Sequence, residues 1–79
     1  MSADIAIDTT VDARNQACPM PVVLARKGMN GLTSGQVMAL DATDPGSCGD
    51  IPSWARDMGH EMLDSSENAG VYRYVIRKG

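Results

Sequence analysis

Ala17-Cys18-Pro19-Met20-Pro21 holds the residues best equipped for chemistry: a thiol followed by two alternating prolines, just ahead of an apolar run. Proline fixes its own φ and pushes the residue before it out of the α region, so Cys18 and Met20 are expected to be extended. A helix can then begin at Pro21, where the missing N–H would have been unpaired anyway. Cys18 would lie on a stiff lead-in to that helix N-terminus, whose partial positive charge favours thiolate and predicts a lowered thiol pKa. The two prolines also delete two donors that could have capped the sulfur. The device presents a reactive sulfur outward.

Other residues could assist or compete. Arg14 and Arg26 are near Cys18 in sequence and could raise its thiolate population or meet an acidic partner surface; the alternative is solvated charge. Met20, between the prolines, could be an exposed and adaptable partner contact. Cys48, in a glycine-rich turn, reads as a surface thiol, with a resolving cysteine that closes a disulfide with Cys18 as the alternative. Cys18, Cys48 and His60 lack the CxxC or HxxxH spacing of a metal site, so neither metal nor other cofactor is expected. His60 follows a helix-ending glycine and reads as structural. Thioredoxin-like chemistry would need a second cysteine where Pro21 stands.

The elements that must position Cys18 follow from periodicity. Ile5 to Val11 alternates as a half-buried strand, and Asp12 to Gln16 is a polar connection. Val22, Ala25, Met29 and Leu32 recur at helical spacing from Pro21 to about Asn30, and Asn30-Gly31 predicts a left-handed stop. Gln36 to Ala42 is a second strand, parallel to the first across a helical crossover. Asp44 to Gly49 reads as a turn. A second helix is then capped by Asp50, anchored in the core by Trp54 and ended by Gly59. His60 to Ser66 and Val71 to Lys78 are strands joined by the four-residue loop Glu67-Asn68-Ala69-Gly70. The order βαβαββ predicts an α+β fold: a two-layer sandwich with a four-stranded mixed sheet and both helices on one face.

Composition bounds the function. The 79 residues are read as one domain, with 43% hydrophobic and 22% charged residues. A chain of this size holds a thin core and no deep substrate cleft. A net charge of −3 and a pI of about 4.7 argue against direct nucleic-acid binding. The acidic Met1 to Asp12 does not read as a signal peptide, and no run is long and apolar enough to span a membrane. A cytoplasmic monomer with reduced thiols is expected.

Val11-Asp12-Ala13-Arg14, Cys18-Pro19-Met20-Pro21, Asp44-Pro45-Gly46, Asp50-Ile51-Pro52-Ser53-Trp54, Gly59-His60-Glu61 and Tyr72-Arg73-Tyr74-Val75-Ile76-Arg77-Lys78 together closely resemble the TusA (SirA-like) sulfur carrier proteins. The resemblance spans nearly the whole chain, and the CPxP element is its most specific part. It implies the same two-layer βαβαββ fold, with Cys18 carrying sulfane sulfur as a persulfide. From their positions beside it, Pro19, Pro21 and Arg14 are read as supporting the sulfur, and Met20 and Arg26 as meeting partners. The implied donor is a cysteine desulfurase or sulfurtransferase. The implied acceptor is a further relay protein in tRNA thiolation, molybdenum cofactor assembly or sulfur oxidation. Such a carrier has no complete active site of its own, because its partners supply the acid and base groups. Asn15-Gln16 departs from the family's usual glycine and apolar residue, which bears on the path of the loop before Cys18. The competing readings are a thiol redox switch using Cys18 and Cys48, or an interaction module without catalysis.

Overall fold

The computed structural model describes residues 6–79, which form strands β1 (Thr9–Ala13), β2 (Val37–Ala42), β3 (Glu61–Asn68) and β4 (Val71–Arg77) and helices α1 (Met20–Asn30) and α2 (Ser47–Asp57) in the order βαβαββ. The four strands make one mixed sheet in the order β1-β2-β4-β3. β1 pairs parallel with β2, and β4 pairs antiparallel with both β2 and β3. Val11, Leu40 and Tyr74 stand across from one another in this register, as do Ala13, Ala42 and Tyr72. Period-2 alternation therefore sends all six to one face of the sheet. There they meet Ala25 and Met29 of α1 and Ile51, Trp54 and Ala55 of α2 in a single core. The other face bears Asp12, Asp41, Arg73, Glu61 and Arg77, joined in part by the Asp41–Arg73 and Glu61–Arg77 ion pairs. Among the described residues no helix is long and apolar enough to cross a membrane.

Several boundaries differ from the sequence reading, each for a local reason. Ile5 lies outside the described residues; β1 starts only at Thr9 and runs on to Ala13, because its partner β2 extends to Ala42. The α1 stop is not left-handed: Gly31 has φ −83°, and the end closes through tight bonds from Gly31 N to Gly28 O and from Leu32 N to Met29 O. Lys78 then donates its Nζ to the carbonyls of Met29 and Leu32 at 3.1 and 2.7 Å, satisfying acceptors that a helix end leaves free. α2 begins at Ser47, three residues before the expected Asp50 cap. The turn from Asp44 winds directly into helix, with Ser47 N bonded to Asp44 O and Cys48 N to Pro45 O. Gly59 does end α2 in the left-handed region, at φ +79°. Gly59 N reaches Arg56 O and His60 N reaches Ala55 O, the paired bonds of a Schellman motif.

The β3–β4 loop is tighter than expected. Asn68 still pairs with Val71, which leaves Ala69 and Gly70 as a two-residue turn with φ of +53° and +84°. Both values are positive, as a type I′ hairpin requires.

Candidate functional site

Parallel pairing of β1 and β2 carries their C-terminal ends to the same edge of the sheet, so the turns that follow them meet there. The turn after β1 carries Cys18 and the turn after β2 carries Asp44. Asn15 takes φ +63°, a left-handed conformation that asparagine tolerates better than most residues. It thereby does conformationally what a glycine would do at that place. Its N–H donates to Thr43 Oγ1 at 2.9 Å, which straps the loop onto the end of β2. Two residues beyond Gln16, the Cys18 N–H donates to Asp44 Oδ2 at 3.2 Å. The Cys18–Pro19 peptide bond is cis, and α1 starts at Met20, one residue before Pro21.

The Cys18 side chain is exposed and free. Its Sγ–H donates to Asp50 Oδ2 on α2 at 3.1 Å. This contact reverses the expectation of an acidified thiol. The hydrogen bond to Asp50 favours the protonated form most, with partial desolvation and the negative charges of Asp50 and Asp44 adding to it, so the pKa is raised above the ordinary thiol value. The helix N-terminus does not compensate, because its donors are used or missing. Met20 N bonds Ala17 O, Val22 N and Val23 N both bond Pro19 O, and Pro21 has no N–H.

Beside the sulfur an open groove of about 480 Å³ runs between α1 and α2. Pro19, Val22, Trp54 and Met58 supply its apolar lining, and Asp50, Asp57 and Ser53 its polar one. Met20, Val23 and Met58 are large apolar side chains left exposed, at 38%, 36% and 58% of their surface. Met20 and the groove thus frame the thiol with apolar surface on the helical side of the molecule.

The remaining candidates separate. Arg14 points its guanidinium at Asp12, with Nε–Oδ1 at 2.9 Å and Nη2–Oδ2 at 3.2 Å, and holds that carboxyl down at about 2. The groups that shift Cys18 are Asp50 and Asp44, and Arg14 is not among them. Arg26 is an exposed residue of α1 with no ion pair among the described residues. His60 stacks at a tilt on Trp54, ring centres 5.2 Å apart, and accepts the Gly79 N–H on Nδ1 at 3.1 Å. Burial, and then the charge of Lys78, push its pKa down.

Cys48 is exposed in the first turn of α2, not in a turn preceding it. It lies against the phenols of Tyr72 and Tyr74, and its nearness is among the causes that raise both. Residues two apart on a helix face away from each other. Asp50 faces Cys18, so Cys48 is turned to the other side of α2, and both thiols are free. Among the described residues no group of three or more His, Cys, Asp or Glu is arranged to hold a metal.

Two residues of this site were missed by sequence reasoning. Asp50 reads as a helix cap and Asp44 as a turn residue, yet both grip Cys18. The signal was available in topology: two strand-to-helix turns that follow parallel strands must share one edge.

The geometry can be set beside known proteins. The family model described as Sulfurtransferase TusA matches residues 9–78. The sulfur carrier protein TusA of Pseudomonas entomophila is 43% identical over 75 residues, covering 95% of this chain and 94% of that protein. The sulfur carrier protein TusA of Allochromatium vinosum is 39% identical over 71 residues, covering 90% and 93%. The crystal structure of a SirA-like protein from Desulfitobacterium hafniense superposes with a TM-score of 0.79 at 29% identity, covering 90% of this chain and 97% of that one.

Proposed function

The chain belongs to the TusA family of sulfur carriers, and from that premise we propose that it carries sulfane sulfur as a persulfide on Cys18. The observation that supports this most directly is the free thiol of Cys18, exposed at the mouth of an apolar groove. A carrier must bring its sulfur to the active sites of other proteins, so the sulfur has to stand on the surface with docking area around it.

Loading is thiol exchange with a donor persulfide. The Cys18 sulfur, giving up its proton, attacks the terminal sulfur of the donor's Cys–S–SH. The donor's S–S bond breaks, its cysteine leaves as thiolate and takes up one proton, and Cys18–S–SH remains. Unloading is the same exchange with an acceptor thiol. The donor is a cysteine desulfurase or a persulfidated sulfurtransferase, and the acceptor a relay protein of a thiolation, cofactor-assembly or sulfur-oxidation pathway. Met20 and Arg26, on the exposed side of α1, contact these partners, and Pro19 and Pro21 stiffen the segment that presents the sulfur.

Incubation with a cysteine desulfurase and cysteine is expected to add the mass of one sulfur atom to Cys18. Cys18→Ser should abolish the adduct with the fold intact, and Cys48→Ser should leave it in place. A panel of desulfurases and persulfidated sulfurtransferases that adds no sulfur to Cys18, or adds it to Cys48 instead, overturns the assignment.

A further inference from the structure

The contact that the sulfur makes when empty cannot survive loading, and this gives Asp50 a role. In the empty protein the Cys18 Sγ–H donates to Asp50 Oδ2 at 3.1 Å while the Cys18 N–H donates to Asp44 Oδ2 at 3.2 Å. Among the described residues, the titratable groups placed around the sulfur are the carboxylates of Asp50 and Asp57 on α2 and of Asp44 in the turn before it. The facing wall of the groove is formed by Pro19, just before α1, and Val22 on α1, neither of which carries a charge. The nearest cation in sequence, Arg14, is engaged with Asp12.

We propose that Asp50 is a positioning residue that distinguishes the empty carrier from the loaded one, holding the empty thiol protonated against α2 and releasing the persulfide away from it. The inference rests on the persulfide reading of Cys18. Once a second sulfur is bonded to Sγ, that atom bears no hydrogen and has nothing to donate to Asp50. The ionisable atom is now the terminal sulfur, displaced by the S–S bond of about 2 Å. As an anion it is repelled by Asp50 and Asp44, so rotation about the side chain carries it outward, towards a partner seated on the groove. Between cycles the protonated thiol is a poor nucleophile, which protects the empty carrier from oxidation and from stray electrophiles. Loading converts a latched sulfur into a presented one without any change in the fold.

The test is the pH profile of iodoacetamide alkylation at Cys18, read by peptide mass spectrometry in a Cys48→Ser background because Cys48 is also an exposed free thiol, on the empty protein and on protein loaded with inorganic polysulfide, with Asp50 intact, Asp50→Asn or Asp50→Glu. In the empty protein Asp50→Asn should move the inflection down by about one pH unit. That gives roughly tenfold more thiolate near neutral pH and, after the loss of intrinsic nucleophilicity, about threefold faster alkylation. Asp50→Glu, which restores a carboxylate, should bring the profile back towards wild type. In the loaded protein the Asp50→Asn shift should be less than half as large. Equal shifts in both states, or none in the empty state, overturn the latch while leaving the carrier assignment standing. Wild-type protein that takes up sulfur at Cys18 neither from polysulfide nor from a persulfidated donor protein overturns both. A purely structural role for Asp50 would alter unfolding and leave the inflections where they are.

Discussion

Removing the Tyr74 hydroxyl tests how the second helix is held where Asp50 can reach Cys18. Ser47, the first residue of α2, is fully buried, and its Oγ shares a 2.8 Å hydrogen bond with the equally buried Tyr74 hydroxyl on β4. Tyr74→Phe leaves the Ser47 hydroxyl in a dry site with no other hydrogen bond, a loss of about 2 kcal/mol. Ser47→Ala strands the Tyr74 hydroxyl less completely, because Cys48 lies beside it, and should cost about 1 kcal/mol. The double variant removes both polar groups together, so its cost should fall at least about 1 kcal/mol short of the sum. These are large fractions of the roughly 4–12 kcal/mol available to a domain of this length. Urea unfolding followed by the fluorescence of Trp54, the one tryptophan, measures all three variants. Costs that simply add, or a Tyr74→Phe effect within about 0.5 kcal/mol of zero, would refute the buried-bond argument.

The same residue carries a pH signature. Burial, with smaller contributions from Cys48 and Tyr72 and partly offset by the Ser47 hydrogen bond, pushes the Tyr74 phenol up to about 12 from its ordinary 10.0. The folded state thus binds that proton more tightly than the unfolded chain. Its contribution is complete below pH 10 and is lost as pH rises through 12, a loss of roughly 3 kcal/mol in the wild type that Tyr74→Phe should not show.

Two further outcomes follow from the packing and the electrostatics. A Cβ at Gly28 of α1 would stand 2.5 Å from Val11 Cγ2 and 3.0 Å from Met38 Sδ. The overpacking of Gly28→Ala should therefore exceed its gain in helix propensity, for a net loss of about 1 kcal/mol in urea unfolding, relieved by adding Val11→Ala. Arg14→Ala should leave the alkylation profile of Cys18 unchanged, since the guanidinium serves Asp12; a profile displaced upward would show that Arg14 acts on the sulfur after all.

Much of this molecule was legible in its sequence. Alternation in Gln36 to Ala42 and in Val71 to Lys78, helical spacing in Val22, Ala25 and Met29, and the glycine stop at Gly59 are local signals, and local signals survive without neighbours. They determined the element order, the two-layer architecture and the placing of Cys18 in a turn at the entrance to a helix. Asn15, Ala69 and the start of α2 were less legible, because their backbones answer to partners: Thr43 holds the Asn15 turn, the β3–β4 register sets the turn at Ala69, and Tyr74 bonds Ser47.

The direction in which the Cys18 pKa moves was decided by tertiary structure. Sequence offered a helix dipole beside a thiol and therefore an acid sulfur. The fold brings Asp44 and Asp50, 26 and 32 residues further along, onto the backbone and the sulfur of that residue. The reason is geometric and energetic together: parallel pairing puts two distant turns on one edge, and at hydrogen-bonding distance a carboxylate outweighs a helix end whose N–H groups are already taken.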